Sequence, residues 1–520
     1  HLFEHMMFQG SKNADAAYIT YVEEAGANLR EGGVNGTTSF DRTNYFETVP
    51  REGLEYVLWL ESDRMGFLTD ALTQEKFNNQ RDVVKNERRQ SYENVPYGRA
   101  LQMVFENLFP QGHPYSWLVI GSQEDLDAAS VEDVKEFFNT YYTPNNCSLV
   151  VAGDFEVDEV KRLVDRYFGP LSPGPALERP RNWVPRLDGE KRIEVFDRVP
   201  QERIYIVWPT PGYFQAGDAE LDLASRILSQ GKNSRLYKSL VYDRQIASDV
   251  SAFNYSLEIA GLFGVVATAR PGESPEELKR SIREEIGRFA VEGPSEEELL
   301  REQAKQEYEF ISGLERIGGF GGKSDLLNQY NTFLGAPNYF EEDYARYQGV
   351  SADAIRQAVG QYLDTGQRLV VTFVPEYSQR PGAAEIDRTL PPAIGERKQF
   401  HPPTFETHTL PNGLRVIVSE RHELPKVAVG LLVKAGGTGD ETGFPGEAWM
   451  TAEMLDEGTE SRSALGIQAS LDRMGAVLGT SGELENSEVS LDTLQKHLTP
   501  AMELMADIVL NPSFPDSELE

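Results

Sequence analysis

At 520 residues the chain is too long for one ordinary hydrophobic core and predicts about three domains. Lys plus Arg total 50 against 83 Asp plus Glu, and the resulting net charge of −33 argues against nucleic acid or an anionic membrane as a partner. A single cysteine, Cys147, excludes an intrachain disulfide, and no apolar run approaches the roughly 20 residues of a membrane-spanning helix.

The chain opens HLFEHMMFQGS. A helix over residues 1–8 puts His1 and His5 at i and i+4, one turn apart on one face, with Glu4 projecting toward the same side. Two imidazoles so placed reach one zinc ion at about 2.0–2.1 Å, while Glu4, in this H-x-x-E-H order, is placed to take a proton from an activated water. A catalytic zinc wants a third protein ligand. The helical stretch NNQRDVVKNERRQSYENVPYG offers one: Val83, Val84 and Glu87 fall on one stripe, surrounded by Arg81, Lys85, Arg88 and Arg89. A carboxylate on the apolar side of a basic helix needs a partner. A metal or a neighbouring cation would serve, and spacing alone leaves both open.

The motif, the QGS after it, RDVVKNE and a trailing PYG follow one another in an order that resembles the pitrilysin/insulysin (inverzincin) family of zinc metallopeptidases, which includes the mitochondrial processing peptidase, and in particular its two-copy bacterial-type members. The resemblance implies an α+β fold of repeated domains, each a mostly antiparallel sheet packed with helices, with duplicated halves forming a clamshell. It implies one Zn2+ per chain on His1, His5 and Glu87, with Glu4 as general base. It further implies that Asn35, Gly36, Thr37 and Thr38, in GGVNGTTSFDRTNYF, belong to an edge strand that accepts the substrate backbone as an added strand. An ordinary glycine-rich hairpin is the other reading of that stretch.

Three features depart from the family pattern, one being that the segment GANLREGGVNGTTSFDRTNYF is longer than usual before its strand. Members often carry a glutamate seven residues before the third ligand; here Gln80 stands there, so the hydrogen bond supporting the ligands differs. The arginine and tyrosine that grip the substrate in active members are missing, with Val241 and Ser248 at the matching places. That pair then belongs to a further domain or to a partner chain.

Farther along, VEDVKEFFNTYYTPNNCSLVVAGDFEVDEVKRLVDRYFG reads helix, strand, helix, with Cys147 a small apolar residue in a short buried strand. The Pro-rich run SPGPALERPRNWVPRLDGE marks a boundary near 172–190. A second unit follows: strand RIYIVWPTP, helix AELDLASRILS, strands near 250–268, helices near 274–311 and strand RLVVTFVPE. In RIGGFGGKSDLL the first glycine of a phosphate loop is replaced by Ile317, so it reads as a hinge or packing loop.

From residue 404 the pattern repeats. WMTAEMLDEGT lies on HLFEHMMFQGS without a gap, and LDRMGAVL lies on VEEAGANL. Trp449, Ala452 and Glu453 replace His1, Glu4 and His5, and an indole and a methyl hold no zinc, so this copy is expected to be metal-free. Two strand-like runs, LRVIVSE and VAVGLLVKAGG, precede the second motif but not the first. The expectation is a fragment lacking its first hairpin and most of its last repeat.

The expected organisation is an active zinc peptidase domain at 1–185, a related non-catalytic domain at 190–378, a Pro-rich linker at 379–403 and the truncated second copy at 404–520. The expected function is zinc-dependent hydrolysis of peptides or unfolded polypeptide in an enclosed chamber, closed by the chain's own missing C-terminal half or by a partner subunit. The alternative is a non-proteolytic scaffold or processing-complex subunit of the same fold. A lyase that shares the motif takes a cysteine as third ligand, and the apolar setting of Cys147 speaks against it. No nucleic acid and no membrane span are expected, and only the resemblance favours a periplasmic or secreted location.

Overall fold

The structure is a computed structural model that describes residues 1–29, 33–376, 405–420, 422, 424–441 and 443–519. The linker expected at 379–403 lies outside the described residues. None of the described helices is long and apolar enough to cross a membrane.

Helices α1 (Leu2–Met6) and α2 (Tyr18–Glu24) lead into an antiparallel hairpin, β1 (Val34–Thr38) and β2 (Thr43–Glu47). Then come α3 (Leu54–Phe67), α4 (Gln74–Arg88), a π-turn at Arg89–Glu93, α5 (Ala100–Leu108), α6 (Gln123–Ala128), α7 (Val131–Tyr141) and α8 (Val157–Tyr167). Side chains of Thr73, Ser122 and Ser130 cap α4, α6 and α7 by accepting a backbone N–H three residues on. Helix α1 is far too short to be stable alone. Phe3, Met6 and Met7 hold it by packing with Phe77 of α4 and Val131, Val134 and Phe138 of α7. A buried guanidinium fastens the hairpin: Arg64 of α3 pairs with Glu61 and, at 3.1 Å, with Glu47 of β2, and lies 4.0 Å from the ring of Tyr18.

The middle of the chain forms β3 (Glu190–Asp197), β4 (Arg203–Thr210), α9 (Asp218–Ser229), β5 (Ala247–Ser256), β6 (Gly261–Ala269), α10 (Pro275–Glu292), α11 (Glu296–Gly313), α12 (Lys323–Leu334), α13 (Phe340–Gln348), α14 (Ala352–Tyr362) and β7 (Arg368–Pro375). The five strands make one sheet, in the order β3-β7-β4-β6-β5, in which only β3 and β7 run parallel. Both faces are covered, so side chains with a period of two divide between two cores. On β4, Ile204, Ile206 and Trp208 pack with α9, α10 and α14, whereas Tyr205 and Val207 join the core that includes Val104, Phe105 and Leu108 of α5. The N-terminal half thus supplies one cover of this sheet.

After residue 404 come β8 (Glu406–Thr409), β9 (Arg415–Val418), β10 (Lys426–Val433), α15 (Glu447–Glu453), α16 (Ala464–Met474), β11 (Val477–Gly482), β12 (Ser487–Leu494) and α17 (Leu498–Leu510). From α15 on, the order repeats that of α1, α2, β1, β2 and α3. The repeat docks on α11, where Asp472 of α16 meets Lys305 at 2.9 Å and Arg301 at 3.8 Å. The whole is a mixed α/β fold with mostly antiparallel sheets and duplicated elements, and none of the described sheets closes into a barrel.

One expected strand is absent. Residues 147–152 form no described strand and pair with none, and Cys147 is exposed instead of lying in a core. An apolar run becomes a buried strand only beside a sheet edge that can bond it, and none of the described strands runs there. The glycine loop is a packing element: Phe320 sets its ring against Phe46 of β2 at 4.9 Å, and a Cβ at Gly318 would lie 2.8 Å from Thr48 Oγ1.

Candidate metal centre

Helix α1 spans fewer residues than the 1–8 expected, yet the backbone keeps the helical spacing where it matters. The N–H of His5 donates to the carbonyl of His1 at 3.2 Å, and the two imidazole rings stand 4.7 Å apart. With Phe3 and Met6 turned into the core, both histidines face outward and are half-buried.

Glu87 comes from the last turn of α4. The buried stripe of that helix is Phe77, Gln80, Val84 and Arg88; Val83, expected on it, is exposed. Successive turns at i, i+3 and i+4 leave Val83 on the flank and put Glu87 at the border, over α1. Glu87 Oε1 lies 3.6 Å from His1 Nε2, and Oε2 lies 3.3 Å from His5 Nε2. The nearby cations are committed elsewhere: Arg81 donates to the Ala129 carbonyl, Lys85 pairs with Asp127, and Arg88 donates to the Gly121 carbonyl.

The donor set fits a zinc ion. Ligands at about 2.0–2.1 Å from a tetrahedral centre are separated by about 3.3–3.4 Å, close to both observed gaps. Gln80 Oε1 accepts from His5 Nδ1 at 3.3 Å, which assigns the proton to Nδ1 and leaves the Nε2 lone pair toward Glu87. His1 Nδ1 is buried with no hydrogen-bond partner among the described residues. His1, His5 and Glu87 form the one cluster of this kind found among the described residues.

Glu4 sits beside the trio, 8% exposed. Its Oε2 accepts from Thr38 Oγ1 of β1 at 2.6 Å, and its Oε1 would be 3.1 Å from a Cβ added at Gly36. Strand β1 bonds only to β2 among the described residues, and its other edge borders a cavity of about 500 Å³ lined by the trio, Glu4, residues 34–38, Phe8 and Ile19. The N–H of Gly36 is capped by the side chain of its neighbour Asn35 at 2.8 Å. Thr37 turns its hydroxyl away, to Asn44 of β2. All the expected site residues thus gather around one groove. By contrast, Val241 is buried in the core of the five-stranded unit and Ser248 lies near Gln201 on β5.

The Insulinase (Peptidase family M16) family matches residues 1–113 and again 415–520, and the Peptidase M16 inactive domain matches 128–306. The zinc protease PqqE of Helicobacter pylori is 30% identical over 344 residues, which are 65% of this chain and 76% of PqqE. The chain belongs to the M16 peptidase family. A solved protease structure from Helicobacter pylori resembles this M16 chain with a TM-score of 0.64 at 26% identity, over 72% of this chain and 89% of that one. The periplasmic protease PqqL from Escherichia coli shares the fold over 99% of this chain, with a TM-score of 0.57 at 17% identity, and this chain spans 61% of PqqL.

In the second M16 copy a helix lies on the strand that matches β1. Counted from the last pair of each hairpin, Thr38 with Thr43 and Gly482 with Ser487, Gly482 takes the place of Thr38. A Cβ there would lie 2.7 Å from Trp449 Cα and 2.8 Å from the Ala448 carbonyl, so α15 lies directly on its strand.

Three residues that bear on the β1–β2 hairpin escape the sequence reading: Asp41 at its tip, and His113 and Tyr115 in the loop after α5. The cue was a histidine and a tyrosine flanking a proline, in GHPYSW, where a loop with three aromatic-type rings is unusual for a solvated turn.

Proposed function

We propose that this M16 chain carries the active half of a zinc-dependent metalloendopeptidase, with His1, His5 and Glu87 holding the ion and Glu4 as general base. The observation that carries the reading is the 3.3 and 3.6 Å spacing of the imidazole nitrogens to one carboxylate, with a second carboxylate alongside. Zinc in such a set supplies a Lewis acid that polarises a carbonyl and acidifies water near neutral pH.

The rest is done by this chain. Gln80 orients His5. Thr38 occupies one oxygen of Glu4 and fixes the carboxylate's plane, leaving the oxygen beside Gly36 to take the proton of the attacking water and return it to the leaving amine. Asn35, Gly36, Thr37 and Thr38 offer a strand edge to which a peptide adds as an antiparallel strand, displacing the Asn35 side chain from the Gly36 N–H. Only an extended segment can do so, which selects peptides and unfolded polypeptide over folded proteins. Closure of the groove into a chamber falls to a further half of the protein or to a partner subunit.

The test is zinc content and cleavage of a quenched peptide, measured on the parent, Glu87→Gln and Glu4→Gln. The parent should hold one zinc; Glu87→Gln should lose most of it together with cleavage. Glu4→Gln should keep the metal and lose about 10²–10⁴-fold in rate, the usual contribution of a general base. Full metal in Glu87→Gln removes that residue from the site. One zinc with no cleavage of any peptide favours the scaffold reading.

A further inference from the structure

The groove depends on a hairpin whose tip is held by another part of the molecule. Asp41, between β1 and β2, accepts the hydroxyl of Tyr115 on one oxygen and the backbone N–H of Glu258 on the other, at 2.9 Å. Glu258 belongs to the turn between β5 and β6, so this bond crosses from the hairpin to the five-stranded unit. Tyr115, 1% exposed, is fixed in turn: its oxygen accepts the N–H of Ile259 at 3.1 Å, and its own N–H donates to His113 Nδ1 at 3.0 Å. A second carboxylate from the same unit, Asp325 of α12, accepts from Asn44 of β2 at 3.3 Å.

The turn between Asp41 and Thr38 is stiff. The N–H of Ser39 donates to the Arg42 carbonyl at 2.8 Å, and Ser39 Oγ accepts the N–H of Arg42 at 3.3 Å. Phe40 stacks on Phe105 with ring centroids 4.5 Å apart. A shift at Asp41 therefore reaches Thr38 with little slack, and Thr38 holds Glu4 at 2.6 Å.

We propose that Asp41 is a positioning residue through which the five-stranded unit, itself without a metal ligand, sets the place of Glu4 and of the peptide-accepting edge. Its role rests on the peptidase reading above. Asparagine can keep the Glu258 N–H on Oδ1, but its amide then donates to the Tyr115 oxygen, which already accepts the Ile259 N–H, and the phenolic proton loses its acceptor. Removing the Tyr115 hydroxyl breaks the same link from the other side.

The experiment compares the full chain with Asp41→Asn, Tyr115→Phe, the double variant and Tyr97→Phe. The last removes a different tie between the same regions, the 2.7 Å bond from Tyr97 to the Gln201 carbonyl. Zinc content, kcat and KM on a quenched peptide, and hydrogen exchange of residues 33–48 are read on each. Asp41→Asn and Tyr115→Phe should keep one zinc, exchange faster in the hairpin and lose at least about tenfold in kcat, as a misplaced catalytic group does. The double variant should be little worse than either single one, and Tyr97→Phe should stay within twofold of the parent. Equal loss in Tyr97→Phe overturns the idea, because any loosening of the two regions would then suffice. Unchanged kcat with full zinc in Asp41→Asn overturns it as well. If Asp41→Asn does not fold, Tyr115→Phe decides by the same measures. If the parent cleaves nothing, the peptidase reading fails by itself, and unchanged hairpin exchange in both variants sinks the anchor separately.

Discussion

Gly36 is where the groove leaves least room. A Cβ there would come within 3.1 Å of Glu4 Oε1 and 3.2 Å of Phe8. Valine adds two further methyls on a stiff χ1, and they have to enter the cavity or push Glu4 off Thr38. Gly36→Val should therefore retain zinc while peptide cleavage falls at least about tenfold, the order expected when a reacting group is displaced by a fraction of an ångström. Full activity in that variant would show that the peptide does not pass this edge. A second prediction concerns His113, which is fully buried and whose burial lowers its pKa below the ordinary 6.5. Nε2 must donate to the Trp183 carbonyl because Nδ1 accepts from Tyr115, so a second proton has no place to sit. Stability from this neutral histidine is present above about pH 6.5 and is lost as the pH falls through its depressed value. Melting temperatures measured from pH 7.5 to 5 should fall, and less steeply in His113→Gln, which does not titrate. These residues mark the limit of what the sequence told. His1, Glu4 and His5 are legible because helical spacing is local. Asp41 and its partners are not, since they lie 74 and 217 residues apart and no periodicity links them.

Among the elements, the hairpin depends most on one side chain. Arg64 is 1% exposed and serves two carboxylates, Glu47 and Glu61, while burial pushes the carboxyl of Glu47 well above its usual range. Removing the cation leaves two largely buried acids without their partner. Arg64→Met should lower stability by about 3–5 kcal/mol, the range for breaking a buried ion pair by removing one partner. Adding Glu47→Gln and Glu61→Gln should recover part of that loss in a denaturant titration; no recovery would mean that the aromatic contacts of Arg64, not its charge, support the hairpin. Element type was legible wherever a face had to be buried: the period of two in RIYIVWPTP and the helical stripe of α4 were both readable. Two details were not, because they depend on neighbours. Val83 lies off the buried stripe since α1 covers only the Val84 side, and the run around Leu149 lacks a strand to pair with.

Across the whole molecule, the second copy is held by buried charge on α11. Asp472 is 2% exposed and faces Lys305 and Arg301, with Glu302 completing a balanced set of two cations and two anions. Asp472→Asn unbalances it, and the variant should unfold at lower denaturant concentration by the equivalent of about 3–5 kcal/mol. Arg473→Ala, which removes the exposed pair with Glu297, should change little. Equal effects of the two changes would mean that apolar packing alone docks the copy. The repeat itself was readable from the gapless match of the two motifs, but the docking face was not, because charges that meet across units carry no local signature.

The direct seating of α15 on Gly482 also bears on whether the second copy could be made to match the first. Replacing three motif residues removes two ligands and the neighbouring carboxylate without by itself closing a groove. Here α15 also lies directly against the strand, and glycine stands where Thr38 holds Glu4 in the first copy. A glutamate restored at 452 would start from a position that is 1% exposed as alanine, while histidines at 449 and 453 would stand in solvent. Restoring the three motif residues would therefore not rebuild the first copy's groove, because the packing of the second copy differs as well as its side chains.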